Sequence, residues 1–298
     1  MRLVYFGTPE AAVTPLRSLC AAGHEVVLVV TGADTRRGRG STITASPVKA
    51  AALELGLPTS HDPQDVLSVE ADLGVVVAYG RIITPQLLNH LSMVNLHFSL
   101  LPRWRGAAPV ERAILAGDAQ TGVCVMEVAE GLDTGGIYAQ QVVDLDNEIT
   151  AADLRDRLVT VGSELLVQVL RTGLGTAVPQ SEEGVTYAHK LHTPDAELHW
   201  NSKADDLLRT IRVGGAWSIF RQKRFKVVAA KRWLPEDEGS DPASSLTSVR
   251  PGIVSGAGLV KTADSWIQLL LVQPEGKATM DAKDWANGAQ PAGEVFGQ

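Results

Sequence analysis

The stretch "DLGVVVAYG", Asp72–Gly80, decides the fold. It is a short, unbroken apolar run with valines at its centre and a glycine at its end. A strand made from it has no polar face, so it must be covered on both sides, as in a parallel sheet flanked by helices. "RLVYFG" (Arg2–Gly7) and "EVVLVVTG" (Glu25–Gly32) are of the same kind, and "MVNLHFS" and "GVCVMEVA" follow downstream. Helical patterns lie between them. The first runs from the turn "TPE" to Ala22, and Pro15 inside it starts the helix near Thr14 or kinks it. The second, Ser46–Pro58, has Ser46 as N-cap, Pro47 at the first helical position and Gly56 as its stop. A long helix covers Ala151–Thr172. Strand–helix alternation of this sort predicts an α/β domain over residues 1–176, a Rossmann-like, doubly wound and mostly parallel sheet with right-handed crossovers.

The pattern changes after Gly175. Residues 177–197 show no period and read as a linker. Residues 198–298 hold one helix, Ala204–Val213, and short β-like runs at Arg224–Trp233, Gly252–Ala263 and Ser265–Pro274. Gly, Pro and polar loops break these runs, which predicts a small C-terminal β-barrel, OB-like in character. The acidic, Ser- and Pro-rich stretch Pro235–Ser248 reads as a loop.

A chain of 298 residues has room for two domains, and 45% hydrophobic with 20% charged residues excludes a disordered chain. Its longest apolar runs fall far short of the ~20 residues of a membrane span. The N-terminus reaches Gly7 and Pro9 too soon for a signal peptide. Two cysteines, Cys20 and Cys124, form no CxxC pair. No metal site is expected, and the thiols fit a reducing cytoplasm. After the first strand the sequence is "GTPEAA" rather than GxGxxG, and nothing matches GxxxxGK[ST], which argues against a dinucleotide or ATP loop. A ligand should still sit outside the C-terminal ends of the strands.

Two segments are rich in basic residues. "DTRRGRGST" (Asp34–Thr42) carries Arg36, Arg37 and Arg39 beyond the second strand, and reads equally as a solvated loop or as an anion-seeking one. From Arg209 to Arg232 stand Arg209, Arg212, Arg221, Lys223, Arg224, Lys226, Lys231 and Arg232, with no Asp or Glu among them. In a chain of net charge −7 this predicts a positive face on the small β domain, suited to nucleic acid.

"NLHFSLLPRWRGAAP", residues 95–109, places polar side chains inside a strand. Asn95 and His97 are two residues apart and so share a face near the strand's C-terminal end. "EGLDTGG" follows the next strand, and Asp133 lies where a parallel neighbour would return the chain to the same edge. Asp133 reads as an Asx turn, or as the third member of a set in which Asn95 donates to an oxyanion, His97 exchanges a proton and Asp133 orients the imidazole. No nucleophile of the chain's own accompanies them, which favours direct transfer between two bound substrates.

On "NLHFSLLPRWRGAAP" with "GLDTG", the chain resembles the folate-dependent formyltransferases, and "FGTPE", "GRG", "SPVK", "VVVAYGRI" and "VTYAHKL" are similar in order and spacing to the methionyl-tRNA formyltransferase family. The resemblance implies transfer of a formyl group from 10-formyltetrahydrofolate to the amino group of initiator methionyl-tRNA, in translation initiation, by a cytoplasmic monomer without a metal. It implies Asn95, His97 and Asp133 as the catalytic triad. It implies a folate pocket at Val77, Ala78, Tyr79, Gly80, Ile82, Ser99, Leu100, Leu101, Pro102, Gly131 and Leu132. tRNA contacts are expected from Arg36, Arg37, Arg39, Arg103, Arg105, Arg209, Arg212, Lys223 and Arg224. Two departures stand out: Ser41, Thr42 and Ile43 follow "GRG" where the family often has lysines, and "VGGAW" (Val213–Trp217) replaces N-P-W-P. A small-amine formyltransferase and a tRNA-binding module with a decayed site are the rival readings.

Overall fold

The computed structural model describes residues 1–36, 43–234, 249–255 and 258–297, with the side chain of Arg36 excepted. Two compact units divide the chain, the first comprising Met1–Ala113, Asp118–Asp146 and Ala152–Lys190, the second Ile114–Gly117, Asn147–Ala151 and Leu191–Gln298. Residues 177–190 of the expected linker thus pack within the first unit.

The first unit is built on seven strands: β1 (Arg2–Gly7), β2 (Glu25–Val30), β3 (Thr59–Ser60), β4 (Leu73–Val77), β5 (Met93–His97), β6 (Gln120–Glu127) and β7 (Ile137–Asp144). Their order is β7-β6-β5-β4-β1-β2-β3. The strands from β3 to β5 are mutually parallel. β4 is buried along its whole length, as its unbroken apolar run requires. Helices α1 (Val13–Ala21), α2 (Pro47–Glu54), α3 (Pro85–His90) and α4 (Pro109–Ala116) connect successive strands, and α5 (Ala151–Thr172) follows β7. Pro15 is accommodated in the first turn of α1, where its missing N–H is not needed. Ser46 caps α2 by accepting from the Lys49 amide at 2.9 Å, with Pro47 at the first position. One core cluster joins Val4, Phe6, Leu28, Val30, Val76 and Tyr79 to Leu87 of α3.

The far edge of this sheet departs from the parallel expectation. β6 runs antiparallel to β5, with His97 opposite Cys124, and β7 runs antiparallel to β6. β7 is unforeseen in the sequence because "IYAQQVVD" is half-exposed at a sheet edge and has no clean alternation.

The second unit holds helix α6 (Ala204–Val213) and an antiparallel five-stranded sheet: β8 (Trp217–Phe220), β9 (Lys223–Arg232), β10 (Leu259–Lys261), β11 (Trp266–Pro274) and β12 (Met280–Asp281). Helix α7 (Ala282–Ala289) follows β12. Trp200, Phe220, Phe225, Trp285 and Phe296 form its aromatic centre, with ring centroids 4.8–6.2 Å apart. The amide of Ala204, at the start of α6, donates to Asp264 at 2.8 Å, so the helix is capped by a carboxylate from a distant turn. "VGGAW" spans the end of α6 to the first residue of β8, and the Trp217 indole donates to the Thr193 carbonyl at 2.9 Å. The acidic stretch Pro235–Ser248 lies outside the described residues.

Candidate active site

Asn95 and His97 occupy alternate positions at the C-terminal end of β5, beside β4, in the place where an α/β sheet offers a ligand site. Their shared face continues onto β6 as Met126 and Cys124, which lie directly opposite them. Those two pack with Leu101 and Ile137 in a small apolar cluster. Burial pushes the Cys124 thiol up to about 11, so it is neutral and serves as dry flooring.

Asp133 reaches the site by a route the sequence reading misjudged. Because β6 is antiparallel, the chain leaves it at the end away from His97, and the loop Val128–Gly136 folds back across the sheet face. Asp133 then lies with Oδ2 3.7 Å from His97 Nδ1, at side-chain exposures of 6% for the histidine and 15% for the aspartate. Asn95 donates to Asp133 Oδ1 at 3.5 Å, a long contact that leaves amide hydrogens for a ligand. The Gly106 amide donates to Asp133 Oδ2 at 2.7 Å, from a backbone at φ 118° that only glycine adopts freely. Gly135 allows the loop to close on β6, since a Cβ there would stand 2.0 Å from the Glu127 carbonyl.

His97 Nε2 lies 2.9 Å from the Trp104 carbonyl. A carbonyl only accepts, so Nε2 carries a proton in either charge state. Nδ1, facing Asp133, is therefore the nitrogen able to gain or lose one. A ring protonated on both nitrogens can donate to Trp104 and Asp133 together, whereas the neutral ring must forgo one acceptor.

The expected folate residues divide by burial. Val77 and Ser99 are fully buried and Leu101 is 6% exposed, so their side chains shape the floor and do not face a ligand. Ser99 instead donates to the Arg103 carbonyl at 2.6 Å. Tyr79 is also buried, which pushes its phenol up against the lowering pull of Arg81. Leu100 and Pro102 are half-buried, while Ala78, Gly80 and Gly131 are exposed. Ile82 and Leu132, at 89% and 62% exposure, are large apolar side chains left in solvent on the loops after β4 and β6. Uncovered apolar groups beside a polar pair fit a flat, partly aromatic ligand.

The arginines near the site have internal partners. Arg103 forms a bidentate pair with Asp118, its Nε and Nη2 at 2.9 and 2.6 Å, and Asp118 lifts the guanidinium's pKa further. Arg105 directs Nε and Nη2 onto Gln180 Oε1, at 3.0 and 2.7 Å. Gln180 in turn donates to the carbonyls of Asp133 and Gly135, both at 2.8 Å, and so ties the Asp133 loop to Arg105. Sequence reasoning missed Asp118 and Gln180, because their partners lie 14–15 and 45–75 residues away and leave no periodic trace. Arg37 and Arg39 lie outside the described residues, as does the side chain of Arg36.

The basic run of the second unit is more neutral in space than in sequence. Arg209 pairs with Asp206 at 3.2 Å, Arg232 with Asp205 at 2.6 Å, and Arg221 with Glu294. Arg212 is half-buried at the end of α6. Lys223, Arg224 and Lys226 are exposed, and Arg224 stacks over the Trp217 ring at 4.3 Å.

Among the described residues there is no group of three or more His, Cys, Asp or Glu able to hold a metal, and no helix long and apolar enough to cross a membrane.

Comparison with known proteins agrees with this architecture. Residues 1–170 match the formyl transferase family and residues 190–290 the formyl transferase C-terminal domain. The methionyl-tRNA formyltransferase of Roseobacter denitrificans is 41% identical over 304 residues, covering 97% of this chain and 96% of that protein. The one from Corynebacterium aurimucosum is 42% identical over 314 residues, covering 97% and 94%. Among solved structures, an N-formyltransferase from Helicobacter canadensis, in complex with folinic acid and dTDP-3-aminofucose, superposes with a TM-score of 0.67 at 14% identity, over 91% of this chain and 98% of that one. HypX from Aquifex aeolicus with tetrahydrofolic acid gives 0.65 at 15% identity, over 96% and 46%. Those two likenesses are of fold. With both family models matched in order and relatives near 40% identity over almost the whole length, the chain belongs to the formyl transferase family, among the methionyl-tRNA formyltransferases.

Proposed function

We propose that Asn95, His97 and Asp133 carry the reaction of this family in this chain: transfer of a formyl group from 10-formyltetrahydrofolate to the α-amino group of initiator methionyl-tRNA, giving N-formylmethionyl-tRNA for translation initiation. The observation that carries the assignment is the convergence of an amide donor, an imidazole and a carboxylate over an apolar floor in which the Cys124 thiol is buried and neutral. The folate supplies the formyl carbon and a leaving nitrogen. Ile82 and Leu132, with the backbone of Ala78–Gly80 and Gly131, would hold it.

Attack of the amine on the formyl carbon builds negative charge on the formyl oxygen. Asn95 Nδ2, whose contact to Asp133 is long, has an amide hydrogen to meet that charge, and the protonated His97 ring sets its positive charge beside it. Asp133 stabilises the charged imidazole, and its own Oδ2 is held by the Gly106 amide. The nucleophile must lose a proton and the departing nitrogen must gain one; a protonated Nδ1 can give its proton to the departing nitrogen and take the nucleophile's in return. Removing one such donor costs about 3–4 kcal/mol at the transition state.

For the RNA, the reading assigns contact to Arg224 and Lys226 on the exposed face of β9 and to Lys223 at its start, and gives Arg103 and Arg105 a holding role. Arg209 and Arg212 are secondary, the first being paired with Asp206. Arg36, Arg37 and Arg39 remain candidates for the acceptor end. The chain is read as a cytoplasmic monomer that needs no membrane. Incubation with 10-formyltetrahydrofolate and charged initiator tRNA should yield formylmethionyl-tRNA; formylation of a small amine in preference to the tRNA would overturn the reading.

A further inference from the structure

The ring of His97 is set by a main-chain atom, the Trp104 carbonyl, 2.9 Å from Nε2. Trp104 has φ 65°, a left-handed conformation that a bulky residue keeps only when its surroundings hold it there. Three contacts do so. Its indole Nε1 donates to Asp118 Oδ2 at 2.7 Å, its backbone amide donates to Thr186 Oγ1 at 2.9 Å, and the Arg103 guanidinium covers its ring at 4.3 Å. The same Asp118 fixes Arg103 through both of its oxygens. Asp118 thus accepts three hydrogen bonds from two neighbouring residues, although its side chain is only 14% exposed.

We propose that Asp118 is a positioning residue: by clamping Arg103 and Trp104 it keeps the Trp104 carbonyl on His97 Nε2 and leaves Nδ1 as the nitrogen that exchanges protons. The proposal rests on the role given to His97 above. Without the clamp the carbonyl is free to turn from the ring. Nε2 then loses its acceptor, and Asp133, 3.7 Å from Nδ1, draws the remaining proton of the neutral ring to the wrong nitrogen. A clamp of purely structural purpose would leave the tautomer unchanged when removed.

Nitrogen NMR of the histidine rings reads this directly, with the His97 signals identified as those missing from His97→Gln. The neutral wild-type ring should carry its proton at Nε2. Asp118→Ala should give a mixture of tautomers and a kcat lower by about tenfold, with KM for both substrates changed by no more than about twofold. Trp104→Phe keeps the aromatic ring but removes the indole N–H. It should move the tautomer the same way by less, and it serves as the test should Asp118→Ala not fold. A folded variant of either kind that keeps the pure Nε2–H form would overturn the proposal. So would a mixed tautomer accompanied by wild-type kcat. A fully active His97→Gln would instead sink the role of His97, on which the proposal stands.

Discussion

Two arginine-bearing regions of this protein look alike in sequence and differ in use. "PRWRG" in the first unit and "RQKRFK" in the second both place basic residues two apart in a short segment. In the first, Arg103 and Arg105 each direct two nitrogens to one internal acceptor, Asp118 and Gln180, and hold the walls of the His97 site. In the second, Arg221 is likewise paired with a carboxylate, Glu294, but Lys223, Arg224 and Lys226 are exposed, with Arg224 stacked on Trp217. The physical lesson is that a basic residue's role follows from whether the fold brings it a satisfied acceptor. A fork matched to a carboxylate is positioned and largely neutralised, one matched to an amide oxygen is positioned, and an exposed stacked cation keeps its field available to phosphates.

Substitutions can break the comparison in decreasing order of effect. Asn95→Ala, at the proposed site that the first region walls in, should lower the single-turnover rate by about 10²–10³-fold, with tRNA affinity nearly unchanged. Gln180→Ala leaves Arg105 and two loop carbonyls without their partner, so the Asp133 loop loosens and kcat should fall by about tenfold. The double change Arg224→Ala and Lys226→Ala should leave kcat intact, weaken tRNA binding and reduce its log–log salt slope by about two. Arg103→Ala should leave that slope unchanged, and a reduced slope would move Arg103 into the RNA-facing group.

The smallest effect concerns the second unit's own stability. Its carboxylate Asp264 is held below the usual range, first by the Ala204 amide at the start of α6 and then by Thr262. A depressed native pKa gives stabilisation that is present above the unfolded value near 3.8 and is lost as pH falls through the native one. Asp264→Asn should therefore lower the thermal midpoint slightly at neutral pH and flatten its decline below about pH 4.

Much of the first unit is legible in the sequence because its signals are local. β4 is a continuous apolar run, Ser46 and Pro47 mark the start of α2, and the span of α5 is that read from the sequence, Ala151–Thr172. Asn95 and His97 stand out because they are polar where the strand period calls for apolar residues. What escaped depends on contacts distant in sequence. The antiparallel direction of β6 is set by pairing rather than by its own residues, so the path of Asp133 to the site was misread. The basic run is unopposed in sequence because its acids, Asp205, Asp206 and Glu294, lie outside the segment Arg209–Arg232.

One experiment puts the two regions against each other. Single-turnover formylation of initiator methionyl-tRNA from 10-formyltetrahydrofolate, with tRNA binding measured in parallel, is run for Asn95→Ala and for the Arg224→Ala, Lys226→Ala double variant. The expected result is a rate loss of about 10²–10³-fold without loss of binding in the first, and loss of binding without loss of rate in the second. Wild-type rate in Asn95→Ala, or tRNA binding undiminished in the double variant, would contradict it.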